Sequence, residues 1–269
     1  MIKKLSFSIV FVLIFSMFSC SEYQKAVKSE DVKVKYELAE KLYSEGKYKK
    51  AIRLFEDIAT QYAGKPQGER IYYFLSNCYY KTEDYYLAAY QFERFAKSYP
   101  KSEKVEEALF LNSKSQYFLS PKYSIDQTET ETAQQKLQLF INKYPESEYL
   151  DEANKMALEL KTKLEKKDFE IAKQYNTIRD YKSGIKALEL FLSEHPGSVF
   201  REDALYESFI GLYNLAILSV YNKQEERLND AIEAYNVLLR FYPETKYRKD
   251  IESKLGNVNN ELEKFSKQT

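Results

Sequence analysis

The chain has 269 residues, 30% of them charged, with Lys plus Arg equal to Asp plus Glu at 41 each. Seven Gly and six Pro are too few for a turn-rich β-protein, and the charge balance leaves no basic excess for a nucleic acid to bind. The 44% of hydrophobic residues suffices for one large domain or an elongated repeat array.

Lys3 and Lys4 open the chain, followed by an uncharged, mostly apolar run from Leu5 to Phe18. A membrane-spanning helix takes about 20 residues; this run is shorter and has the length of a signal-peptide core. Met17-Phe18-Ser19-Cys20 closes the segment and resembles a bacterial lipoprotein signal. On that reading 1–19 is removed, Cys20 is lipidated as the new N-terminus and 20–29 is a tether. The alternative is an ordinary signal peptide with an incidental Cys. Cleavage before Cys20 removes two lysines and leaves the mature chain slightly acidic. Cys78 is then the only other thiol and has no intrachain partner. It reads as a small buried hydrophobe, so packing must hold the protein together.

The rest of the chain repeats one phrase four times: SYPKSEKVEEA (98–108), KYPESEYLDEA (143–153), EHPGSVFREDA (194–204) and FYPETKYRKDI (241–251). Aligned on Pro100, Pro145, Pro196 and Pro243, the phrases share a hydroxyl residue two places on: Ser102, Ser147, Ser198 and Thr245. Eight places on stand Ala108, Ala153, Ala204 and Ile251. Upstream, the positions twelve, eight and five before each proline carry Ala88, Phe92 and Phe95 in the first phrase, with small and apolar counterparts in the others. That spacing marks one face of a helix. Proline stops the helix, and the hydroxyl caps the next one, whose first turn is acidic. The phrase is therefore a helix-to-helix joint, and its repetition predicts stacked helical hairpins.

Reading upstream of each joint gives Ala39, Leu42, Gly46, Tyr48, Ala51 and Phe55 in a first copy, and Ser76, Tyr79, Glu83, Tyr85, Ala88 and Phe92 in a second. Ala172, Tyr175, Arg179, Tyr181, Gly184 and Leu188 mark a fourth. This pattern resembles the tetratricopeptide repeat (TPR). The expected fold is an all-α, TPR-like helical hairpin solenoid over 30–269, with repeats near 30–66, 69–100, 103–145, 148–196 and 199–243, then a C-terminal helix at 245–265. Longer hairpin loops are expected at SPKYSIDQTETE (120–131) and NKQEERLND (222–230). Tyr79, Tyr85, Tyr175 and Tyr181 read as core.

No phosphate-binding loop, dinucleotide fingerprint or metal-ligand motif occurs, so neither enzyme activity, a cofactor nor a metal is expected. The single His195 stands where the other phrases have Tyr, which suits packing rather than catalysis. A binding role accords better with the pattern. The first helix of each pair lines the inner side of such a stack. Helical spacing places Lys33, Tyr36, Glu40 and Tyr43 there in one copy, and Arg70, Tyr73, Asn77 and Tyr80 in the next. Tyrosine faces with a few cations suit an extended peptide, such as one ending in an aromatic residue and a carboxylate. Alternatively these side chains simply pack on neighbours or are solvated.

The lipoprotein signal, the TPR-like units and SIDQTETETAQQKLQLFINKYPESEYLDEA (124–153) together resemble the BamD family of outer-membrane assembly lipoproteins. The resemblance implies a non-catalytic, lipid-anchored protein on the periplasmic face of the outer membrane. It implies binding to the POTRA domains of BamA, to unfolded β-barrel clients and to other lipoproteins of the same machine. Arg179, with Asp180 beside it in QYNTIRDYK, is by that resemblance a candidate BamA contact. Ser21 after the Cys agrees with outer-membrane sorting under enterobacterial rules. A rival is another periplasmic TPR lipoprotein serving cell-wall or envelope assembly, and a third reading is a spacer without clients.

Overall fold

A computed structural model describes residues 22–266; the signal segment and Cys20 lie outside the described residues. Every regular element described is helical. A short α1 (22–28) precedes α2 (Val32–Ser44), α3 (Tyr48–Ala59), α4 (Pro66–Lys81), α5 (Tyr85–Ser98), α6 (Val105–Leu119) and α7 (Thr128–Lys143). Then come α8 (Leu150–Thr177), α9 (Tyr181–Glu194), α10 (Arg201–Ile217), α11 (Tyr221–Phe241) and α12 (Arg248–Ser266). Within each unit successive helices pack side by side, from α2 to α7 and from α9 to α12, so the fold is all-α and built from TPR-like hairpins.

The chain divides into two compact units, one ending at Leu158 and the other holding 122–126 and 159 onward. In the first, Leu54, Phe55, Ile58, Ile71, Phe92 and Phe95 are fully buried in one cluster with Ala39, Ala51, Ala88 and Ala108. In the second, Phe169 and Phe191 pack with Ala172, Leu188 and Ala204. Phe209, Leu238 and Ile251 form a further cluster, and Leu228, Ala231 and Val258 another. Through Ile251 and Val258, α12 supplies apolar cover for α10 and α11. The small residues predicted at the helix crossings are all buried, and their lack of bulk lets helix axes approach to about 8–10 Å.

The four joints are built alike. The N–H of Tyr99, Tyr144, His195 and Tyr242 donates to the carbonyl four residues back at 2.8–2.9 Å. Their own carbonyls accept from Ser102, Ser147, Ser198 and Thr245 at 3.0–3.2 Å. Each of those hydroxyl oxygens then accepts from the N–H two residues on, at 3.1–3.3 Å. The hydroxyl thus closes a turn just ahead of the helix rather than occupying the N-cap itself, which is Lys104 for α6 and Phe200 for α10. Two of the hydroxyls also reach back to a preceding helix, Ser102 to Glu69 at 2.6 Å and Thr245 to Glu202 at 2.7 Å.

Within three hairpins the turn holds a left-handed residue: Gly46 (φ +72°), Glu83 (+62°) and Arg179 (+64°). The same pair of backbone bonds recurs there, as in Glu83 N–H to Tyr80 and Asp84 N–H to Tyr79. Glycine takes this conformation freely, whereas a side chain costs about 1–2 kcal/mol.

Two expectations are corrected. NKQEERLND is not a loop: 222–230 is helical and forms the start of α11, with Leu228 fully buried. Glu, Lys, Gln and Arg favour helix, and neither Gly nor Pro interrupts them. The loop after α6 is also shorter than expected, because TETE already lies in α7. Of the four tyrosines assigned to the core, Tyr79 is buried, while Tyr85, Tyr175 and Tyr181 are half-buried. Replacing Phe92 with Ala should destabilise the protein by about 3–5 kcal/mol in chemical denaturation, because a fully buried ring is lost from a packed crossing.

Candidate functional site

Helices α2 and α4 of the first unit carry the expected groove residues. Tyr36 donates its hydroxyl proton to the Glu40 carboxylate one turn on. Arg70 reaches the same carboxylate from α4, with Nε 2.7 Å from Glu40 Oε1. Its guanidinium also lies over the Phe74 ring at 5.2 Å. Phe74 stacks on Tyr43 with ring centroids 4.5 Å apart and planes inclined by 28°. Tyr43 in turn meets Tyr48 edge-on at 5.7 Å. Tyr73 approaches Phe95 at 5.6 Å and Phe74 at 6.2 Å, and the Lys104 ammonium sits over its ring at 5.4 Å. Farther along, Tyr80 meets Tyr85 at 5.8 Å and Phe118 at 6.5 Å, while Lys114 pairs with Glu152 at 2.7 Å.

The structure therefore joins Tyr36, Tyr43, Arg70 and Tyr73 into one aromatic and charged surface, with Tyr80 continuing it. Lys33 stands apart, exposed and 3.9 Å from Glu37. Asn77 is buried and serves its own helix, with its amide 3.5 Å from the Tyr73 carbonyl. Phe74 was missed by the sequence reading, although it touches Tyr43, Tyr73 and Arg70. It lies one turn after Arg70, so the same helical spacing would have found it.

The electrostatics favour recognition over proton transfer. Burial, then Glu40, raises the Tyr36 phenol to about 12, and burial raises Tyr43 to about 12. Burial, then the hydrogen bond to Glu107, pushes Tyr73 up as well. These phenols remain protonated donors throughout the physiological range. Glu107 is pushed up by burial, yet its bonds from Lys104 and Tyr73 carry it below the usual carboxylate range. Burial drives the Cys78 thiol up to about 12, which removes the thiolate a reactive cysteine needs. Among the described residues, no group of three or more His, Cys, Asp or Glu is placed to hold a metal ion.

The other candidates lie in the second unit. Arg179 and Asp180 are both exposed. Asp180 caps α9 by accepting from the Ser183 N–H at 3.3 Å. Ile178 beside them is exposed as well. His195 packs on Phe191 at 5.0 Å and its Nε2 lies 3.2 Å from Asp168, a packing position as expected.

A stacking position unseen in the sequence alignment recurs at the joints. Four residues after the proline, Tyr149 stacks on Phe110 (4.4 Å, 11°), Phe200 on Phe169 (5.7 Å, 6°) and Tyr247 on Tyr206 (3.7 Å, 6°). At the first joint this place is taken by Lys104 over Tyr73. A flexible cation, not a ring, covers the tyrosine at the candidate surface.

A family model described as YfiO, outer membrane lipoprotein, matches residues 28–206 and 173–266. The chain belongs to this family. It is a non-catalytic lipoprotein of the outer membrane, and no described helix is long and apolar enough to cross a membrane. Similar proteins include the outer membrane protein assembly factor BamD of Vibrio cholerae, 22% identical over 84% of this chain and 94% of that one. BamD of Pasteurella multocida is 25% identical over 64% of this chain and 70% of that one.

Titration offers a check on the cluster. Folding raises the phenols of Tyr36 and Tyr43 from about 10 to about 12. Their contribution to stability is complete below the unfolded value and is lost as pH rises through the folded one. Ultraviolet titration of the native protein should show a late phenolate component near pH 12, smaller by two tyrosines but not abolished in the Tyr36→Phe, Tyr43→Phe double variant, because Tyr149 and Tyr247 are raised to about 12 as well.

Proposed function

We propose that this lipoprotein is an adaptor of outer-membrane β-barrel assembly, tethered through Cys20, that binds unfolded barrel clients and the periplasmic POTRA domains of BamA. The family and the names of its relatives support the machine. The observation that carries client binding is the surface joining Tyr36, Tyr43, Arg70, Tyr73 and Phe74. Its rings offer broad contact area at low entropic cost. Arginine has five N–H donors in a planar fork; Glu40 engages the one on Nε, which leaves the terminal amino groups for an incoming carboxylate. Lys104 can swing from the Tyr73 ring and open that face to a client side chain.

Arg179 and Asp180 are the proposed contact for BamA. Arg179 stands at a left-handed position where Gly46 serves in the first hairpin, so its side chain is present at a backbone cost. Exposed and preceded by the apolar Ile178, it offers a charged anchor beside an apolar contact.

Pull-down of the lipidated chain should recover BamA; recovery of murein enzymes, or of nothing, would count against this machine. The Arg70→Ala, Tyr73→Ala variant, still helical, should bind peptides ending in an aromatic residue and a free carboxylate at least about tenfold more weakly. Unchanged binding would remove the client surface from consideration. Arg179→Gly relieves the left-handed strain, so its stability should match or exceed the parent by up to about 1 kcal/mol while BamA recovery falls. A stable variant with full BamA recovery would exclude Arg179 from the contact.

A further inference from the structure

A groove of about 550 Å³ opens in the first unit between α5 and α7, with α6 beneath. It shares no residue with the aromatic surface described above. Val105, Leu109 and Phe140 give it apolar walls, and Leu139 on its lip is 64% exposed. Lys97, Lys136 and Lys143 stand around it with a single acid, Glu93. Glu93 is shared between Lys97 at 2.8 Å and Lys136 at 3.1 Å, while Lys143 lies over the Tyr144 ring at 5.1 Å. Two ammonium groups therefore share one carboxylate, and a third stands on the same rim without an acid of its own in the groove lining.

The second unit holds a groove of the same construction, about 650 Å³, between α9 and α11 over α10. Counted from their prolines, Glu93 matches Glu189, Leu139 matches Val237 and Leu109 matches Leu205. The lysines have no such counterparts: at their places stand Ser193, Ala234 and Phe241. The second groove has two lysines at other positions, Lys182 and Lys186, against three acids, Glu189, Asp230 and Glu233. Hairpin packing produces the groove in both units, but it does not produce the cationic rim. Of the two grooves, only the first has more lysines than acids.

We propose that the α5–α7 groove docks an acidic segment of a partner protein. An apolar side chain of the segment seats against Leu109, Leu139 and Phe140, and flanking carboxylates meet Lys97, Lys136 and Lys143. Charge complementarity selects the acid, and the apolar walls select an attached side chain over a free small anion. Asn142 accepts from Gln138 at 2.8 Å, which leaves its amide N–H groups for a peptide carbonyl. This site is independent of the client surface, so either can fail without the other.

Selection of a phage-displayed library of peptides about 12 residues long on the detergent-solubilised mature chain tests it. Recovered sequences should combine Leu or Phe with Asp and Glu. They should bind the Lys97→Glu, Lys136→Glu, Lys143→Glu variant at least about tenfold more weakly, and likewise Leu139→Asp, with circular dichroism confirming the fold of each. The Arg70→Ala, Tyr73→Ala variant should retain them. Recovery without acidic enrichment, equal binding by the triple variant, or loss only in the Arg70, Tyr73 variant would overturn the proposal. So would phosphatidylglycerol vesicles bound through the three lysines with no acidic peptide recovered, which would assign the rim to lipid.

Discussion

Four times in this chain one helix is bound to the next by the same small hydrogen-bonded joint, and the packing on either side of it follows from its geometry. Proline ends a helix; the carbonyl before it accepts from the hydroxyl residue ahead; that hydroxyl closes the turn that starts the next helix. Because the joint recurs with the same bonds at four places, the residues five before and eight after each proline arrive in the interior every time: Phe95 with Ala108, Phe140 with Ala153, Phe191 with Ala204, Leu238 with Ile251. A lone amphipathic helix would expose that face, so neighbours are a condition of stability rather than an ornament.

A repeated scaffold leaves particular positions open to change. The stacking place four residues after the proline is aromatic in three joints and lysine in the first. The left-handed turn residue is glycine in one hairpin but Glu83 and Arg179 in others. The groove between second helices has more lysines than acids in one unit and more acids than lysines in the other. In each case the backbone role is conserved by geometry while the side chain departs from it. Those departures are the places where chemistry toward other proteins is most economically argued, since packing alone does not demand them.

The aromatic surface of the first unit illustrates a constraint on binding. Its cations are already engaged: Arg70 by Glu40 and Phe74, Lys104 by Glu107 and Tyr73, Lys114 by Glu152. Paired in this way they avoid the cost of isolated charges beside apolar rings. A client must share or displace these partners, so binding there draws on ring contact and hydrogen bonds more than on net charge. The α5–α7 groove differs, because its lysines outnumber the carboxylate available to them.

The sequence by itself determined the helical class, the joints and the buried seam. These follow from local rules: proline stops a helix, periodic apolar residues define a face, and small residues permit close crossing. Arg70 and Tyr73 were legible as neighbours on one helix face for the same reason. Only the tertiary structure decided that Glu40 takes Arg70, that Phe74 is the hub of the aromatic surface, and that Tyr247 stacks on Tyr206. The partners in the first and last of these lie 30 and 41 residues apart in sequence, and no local period encodes them. It also decided that Leu228 is buried against α12, a place that its polar surroundings in sequence do not advertise, although the residues of 222–230 favour helix by themselves. Local pattern fixes where helices begin and end, while the choice of partners across helices depends on which faces packing brings together.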